Sequence, residues 1–146
     1  MESRIGDFSQ DYRAAREKFL AAAKSAAQDA DIRIETFDNP APGPDGLPVH
    51  TDVALIGDTK APNVLVANSA THGVEGFCGS AALTGWLRRG EAARLPPNVR
   101  AVLIHAINPH GFAWLRRVTE DNVDLNRNFG KHGDTYPENP EYSELH

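Results

Sequence analysis

The spacing of apolar and polar positions changes several times along this 146-residue chain, and each change marks an element. Phe8, Tyr12, Phe19, Leu20 and Ala23 fall on one helical stripe of an alanine-rich segment, which predicts a packing helix over 8–30 with Ser9 as its N-cap. Ile32 to Phe37 alternates with period two, the pattern of a half-buried strand. Asn39 to Pro48 is rich in proline and glycine and predicts a loop. Val49 to Ile56 is a second strand, closed by a turn at Gly57-Asp58. Val64 to Ala67 is a continuous apolar run, as expected of a central strand buried on both faces. Residues 75–89 predict a helix ended by Gly90 as its C′ glycine, Arg94 to Asn98 a Pro-Pro linker, Val99 to Ile107 a further strand, and Asn108 to Gly111 a turn. The order α-β-β-β-α-β predicts an α/β fold, a mixed β-sheet flanked by helices that contains a βαβ crossover.

Composition narrows the partners more than the fold. The length suits one domain, and 40% hydrophobic with 24% charged residues is ordinary for a soluble globular protein. A formal net charge of −5 leaves no basic excess for a nucleic acid or an anionic membrane. The local basic pairs are Arg88-Arg89 and Arg116-Arg117. The single cysteine, Cys78, excludes an internal disulfide framework. No apolar run approaches the ~20 residues of a spanning helix, and the N-terminal residues lack the apolar core of a signal peptide, so a cytoplasmic protein is expected.

The candidate chemistry begins at Asn68-Ser-Ala-Thr-His-Gly-Val-Glu75, where the third predicted strand runs into a helix. His72 offers an imidazole nitrogen and Glu75 a carboxylate oxygen, both good ligands for one Zn²⁺ ion. The C-terminal ends of strands in open α/β sheets are where ligand sites form. Gly73 permits a sharp turn and Gly76 close packing, with small residues following at Gly79, Ser80, Ala81 and Ala82. Taken alone, a His-x-x-Glu pair is more often a surface or capping pair than a ligand pair.

A second block, Asn108 to Phe129, follows the next strand. With its Asn-Pro-x-Gly, its arginine pair and its Val-Asp-Leu-Asn-Arg-Asn-Phe, the chain resembles the zinc carboxypeptidases of the carboxypeptidase A type. The likeness is greatest to a bacterial subgroup with a His-Gly-Val-Glu-Gly motif and runs from about Val64 to the C-terminus. The resemblance implies a zinc-carboxypeptidase-like fold, with 1–146 forming the N-terminal portion of a single domain. That portion comprises a leading helix over 1–30, sheet and crossover helix over 31–107, and a loop-rich substrate-binding segment over 108–146. It implies that His72 and Glu75 are two of three zinc ligands, that Arg117 polarises the scissile carbonyl, and that Asn126 and Arg127 bind a substrate carboxylate. A guanidinium fork beside an amide suits that planar group. Arg116 is the alternative to Arg117 but is better read as a solvated loop residue, and Asp124 as a structural hydrogen-bonding residue. The implied activity is zinc-dependent hydrolysis of a peptide or amide bond next to a free carboxylate, on a small peptide or an N-acyl amino acid. An aspartoacylase-like amide deacylase is the close alternative.

Two positions depart from the pattern. His110 stands where aspartate is usual. Asn122 stands where glycine is usual, although asparagine tolerates the left-handed conformation. The resemblance also requires a third histidine ligand and a glutamate base further along. His50 and His105 fall in predicted strands, His110 and His132 in loops, and His146 is terminal; none has the context of that ligand. Asn139-Pro140-Glu141 starts a helix that His146 cuts short after about two turns, a length at which helices are marginal. The expectation is therefore a fragment inactive on its own. A truncated, non-catalytic or carboxylate-binding remnant is the reading from another class.

Overall fold

The computed structural model describes residues 4–127 together with Pro140 and Glu144. After a short 3₁₀ turn at Arg4–Asp7 come α1 (Tyr12–Ala26), β1 (Ile32–Asp38), β2 (His50–Ile56), β3 (Asn63–Asn68), α2 (Gly76–Arg88), a second 3₁₀ turn at Ala92–Arg94, β4 (Val99–His105) and α3 (Pro109–Trp114). The described strands form one four-stranded mixed sheet in the order β1-β2-β4-β3. The pairs β1–β2 and β2–β4 are antiparallel, while β3–β4 is parallel, with α2 as the crossover between them.

The apolar positions anticipated on α1 and α2 meet the sheet. Phe19, Ala22 and Ala23 of α1 pack with Leu83 and Leu87 of α2 on Ala54 and Ile56 of β2 and Ala101 and Leu103 of β4. A second cluster at the other end joins Tyr12, Ala15, Val49, Ala70, Ala106 and Phe112. It is this cluster that lies under the loops carrying the candidate chemistry.

Several expectations shift. The first helix starts at Tyr12 because the Asp11 carboxylate accepts from the Ala14 backbone N–H and caps it, a role expected of Ser9. The predicted turn at 108–111 is the start of a helix: Asn108 caps it by accepting from Gly111 N at 2.8 Å, with Pro109 in the first turn. Gly90 does take a positive φ of 71° just past α2, as a C′ glycine should. The largest correction concerns β3. Among the described residues it is an edge strand, not a central one, with Val64, Leu65 and Val66 exposed by 44%, 45% and 59%. A continuous apolar run reports that both faces are apolar; it does not report the strand's place in the sheet. In the predicted C-terminal helix, Pro140 and Glu144 are helical, and the rest lies outside the described residues. No helix among the described residues is long and apolar enough to cross a membrane.

Candidate functional site

Because β3 and β4 run parallel, their C-terminal ends emerge at the same edge of the sheet, and the loops that follow them are stitched together. Ile107 N donates to Ser69 O, Asn108 N to Ala70 O, and Gly73 N to Arg116 O at 2.9 Å. Glycine is obligatory in this seam: a Cβ on Gly73 would lie 1.9 Å from Gly111 O and 2.5 Å from Arg116 O, and one on Gly111 would lie 2.4 Å from Asn108 Nδ2. The sequence pattern pointed to Gly73 only as a turn residue. Its larger part is to let the His72 turn press against the backbone of α3 and its exit.

That seam brings His72 to Asp124. The His72 ring is buried, with Nε2 2.9 Å from Asp124 Oδ1 and Nδ1 2.9 Å from Glu75 Oε2. Asp124 is the hub of the loop. Its carboxylate also accepts from Arg117 Nε at 2.7 Å and from the Asn126 backbone N–H at 2.9 Å. The hydrogen bond from His72, followed by those from Arg117 and the Asn126 amide, holds its pKa well below the usual carboxylate range. Asp124 is thus the hydrogen-bonding residue expected, at the centre of the site.

The other expected residues are placed around this hub. Arg117 is half-exposed and uses only Nε on Asp124, leaving its terminal nitrogens without a partner among the described residues. Asn126 and Arg127 are exposed, and Arg127 Nη1 donates to the Asn126 carbonyl at 3.0 Å. Asn122 adopts φ 60°, the left-handed conformation that allows it to stand in for glycine. Asn128, Phe129 and His132 lie outside the described residues.

The donor chemistry can be tested against a metal ion. An ionised Asp124 makes Nε2 the donor of its hydrogen bond, which turns the second nitrogen, Nδ1, toward the Glu75 carboxylate. Two lone-pair donors 2.9 Å apart need a proton or a cation between them. Neighbouring ligand atoms on a tetrahedral zinc with ~2.0–2.1 Å bonds lie roughly 3.3 Å apart, so His72 and Glu75 fit with a small outward movement. Asp124, on the opposite nitrogen, occupies the place of the carboxylate that orients a ligating histidine. Among the described residues, no group of three His, Cys, Asp or Glu side chains converges to hold an ion.

The other described histidines, His50, His105 and His110, stand apart from this pair. His105 is fully buried in β4, stacked on Phe19 at 4.8 Å between ring centres, with Nε2 2.8 Å from Ser80 Oγ. His50 pairs with Asp38, and His110 packs on Trp114 within α3. Sequence reasoning missed the buried Asp52, which accepts from both Arg16 and Thr36. Its signal was available, since Asp52 shares the inward phase of β2 with Ala54 and Ile56.

A family model described as Protein of unknown function (DUF2817) matches residues 8–146. This finding corrects the resemblance to zinc carboxypeptidases, of which no family model matches. His-x-x-Glu and Asp-x-Asn-Arg are short motifs that fix a local geometry, and a local geometry does not fix a family. No curated protein matches the chain. Among solved structures, two of Porphyromonas gingivalis glutaminyl cyclase are similar at 17% identity, with TM-scores of 0.46 and 0.44; they cover 70% of this chain and 41% and 43% of their own. Fimbriiglobus ruber glutaminyl cyclase is similar at 11% identity and a TM-score of 0.41, over 61% of this chain and 35% of its own. The chain thus spans about two fifths of the length of these structures. At such scores the likeness carries no argument about activity.

Proposed function

Because this chain belongs to the DUF2817 family, its activity has to be argued from its own residues, and we propose that they form part of a zinc-dependent hydrolase site acting on an amide bond near a free carboxylate. One observation carries the reading. His72 is fixed through Nε2 by an ionised, multiply hydrogen-bonded Asp124, and its other nitrogen faces the Glu75 carboxylate at 2.9 Å. A purely structural histidine needs one such partner, not a carboxylate on each nitrogen at the edge of a solvent-facing loop.

In this reading His72 and Glu75 hold the ion. The chemistry supplied there by bound zinc is Lewis-acid polarisation of an amide carbonyl. Arg117, pinned through Nε, directs its free terminal nitrogens at that carbonyl oxygen and stabilises the charge that develops on it. Asn126 and Arg127, placed by the turn that Asp124 closes, receive the substrate carboxylate, a group whose plane matches the guanidinium fork. The substrate class is a small peptide or an N-acyl amino acid.

The test is zinc binding by equilibrium dialysis and calorimetry on the 146-residue protein. Two protein donors give a weak site that holds one ion. His72→Ala is expected to abolish it, and Asp124→Asn to weaken it about 10- to 100-fold by releasing the ring. Unchanged zinc affinity in His72→Ala, with the fold intact by circular dichroism, overturns the proposal.

A further inference from the structure

We infer that Arg116 is a specificity residue of this site and reads a second carboxylate, so that the preferred substrate carries an acidic amino acid. The inference rests on the carboxylate-binding reading of Arg127 above. Arg116 and Arg117 are consecutive and both exposed, the usual setting of mobile surface side chains, yet both are anchored. Arg117 is held by Asp124, and Arg116 Nη2 donates to Asn122 Oδ1. The two anchors stand two residues apart on one loop. The Asn122 amide is itself fixed: its backbone takes φ 60°, and its N–H closes a turn onto Thr119 O at 3.1 Å.

The anchors differ in charge, and that difference is the argument. Asp124 neutralises Arg117. Asn122 is uncharged, so it fixes the direction of Arg116 and leaves its positive charge uncompensated; among the described residues Arg116 has no carboxylate partner. A guanidinium carries five N–H donors, and one bond to an amide leaves a face open for a bidentate carboxylate. Its main chain is equally fixed, with Arg116 N on Gly111 O at 2.8 Å and Arg116 O on Gly73 N at 2.9 Å, next to His72. The loop therefore offers two guanidiniums without a described carboxylate partner, Arg116 and Arg127, on either side of the Asp124 hub in the chain. One substrate carboxylate satisfies one fork. The second fork calls for a second carboxylate, on the side chain of an aspartate- or glutamate-like substrate.

Calorimetry on the 146-residue protein with N-acetyl-L-glutamate and its uncharged counterpart N-acetyl-L-glutamine tests this. The glutamate ligand is expected to bind roughly 10- to 100-fold tighter, the range of a charged hydrogen-bonded pair. Arg116→Gln should bring the ratio close to one. Asn122→Gly, which keeps the left-handed backbone and removes the anchoring amide, should lower it part of the way. Arg33→Gln, at an exposed position on β1, should not change it. Equal binding of the two ligands by the unaltered protein, or a preference that survives Arg116→Gln, overturns the inference. If in that case Arg127→Gln weakens both ligands, the carboxylate site itself stands. If neither ligand binds, or Arg127→Gln changes neither affinity, the carboxylate reading fails and this inference fails with it.

Discussion

Acid should unfold this protein partly through one buried ring. His105 has no exposed surface, is stacked on Phe19, and leaves Nδ1 without a partner among the described residues. Burial, the dominant influence, pushes its pKa down from 6.5 to about 4, against an upward pull from Asp52. The unfolded chain therefore binds a proton that the folded one refuses, and the sign follows. The stabilising contribution of the neutral ring is fully present above pH 6.5. It is lost as pH falls toward 4, and below that both states are protonated and the loss levels off. Each pKa unit is worth 1.36 kcal/mol, so the loss across this window is about 3 kcal/mol. That is a sizeable share of the 5–15 kcal/mol typical of a folded domain. Urea titrations of the unaltered protein and of His105→Gln at intervals from pH 7.5 to 4 give the difference in slope, which cancels the contribution of the acids common to both. The His105 ring protons followed by NMR give the pKa directly. A ring that titrates near 6.5 in the folded protein, or identical pH slopes for the two proteins, refutes the reasoning.

Other perturbations probe other parts. Gly73→Ala drives a methyl into the Gly111 and Arg116 carbonyls and should cost at least ~2 kcal/mol in a urea melt, because backbone atoms rather than side chains must move; a loss within 0.5 kcal/mol would show that the seam is slack. Arg16→Met leaves the Asp52 carboxylate buried beside Thr36 alone and should cost about 3–5 kcal/mol, with recovery when Asp52 is also made apolar; no recovery in the double variant would contradict an ion-pair origin. Val66→Lys, on the exposed edge strand, should slow self-association seen by light scattering with little change in stability. Unaltered scattering would show that this edge is not the sticky one.

How much of this was legible in the sequence depends on the range of the interactions. Strand β1 and helix α2 follow from alternation and from Gly90, which are local signals, and their ends fall within a residue or two of expectation. Ser9 and Asp11 compete for the same cap within three residues, and only the carboxylate's bond to Ala14 decides between them. The short α3 was hidden because Asn-Pro-x-Gly reads equally as a turn; what decides is Asn108 bonding back to Gly111. The order of strands is non-local, so an apolar run was taken for a central strand when it sits at an edge. The pair His72 and Glu75 lies within one turn and could be read directly. Its link to Asp124 could not be read from spacing, and the motifs around the two residues suggested a family that the chain does not match.

The bond from His72 to Asp124 closes a stretch of 52 residues. Closing a flexible loop of that length costs on the order of 3 kcal/mol in chain entropy before any contact is made. The site is therefore expected to form after β3 and β4 have paired and brought their ends together, late on the folding path. Any ion captured between His72 and Glu75 binds the finished chain and not the unfolded one, and so draws the folding equilibrium toward the native state by mass action. Refolding followed by zinc uptake would then time the last step, the closing of the Asp124 loop over a sheet already built.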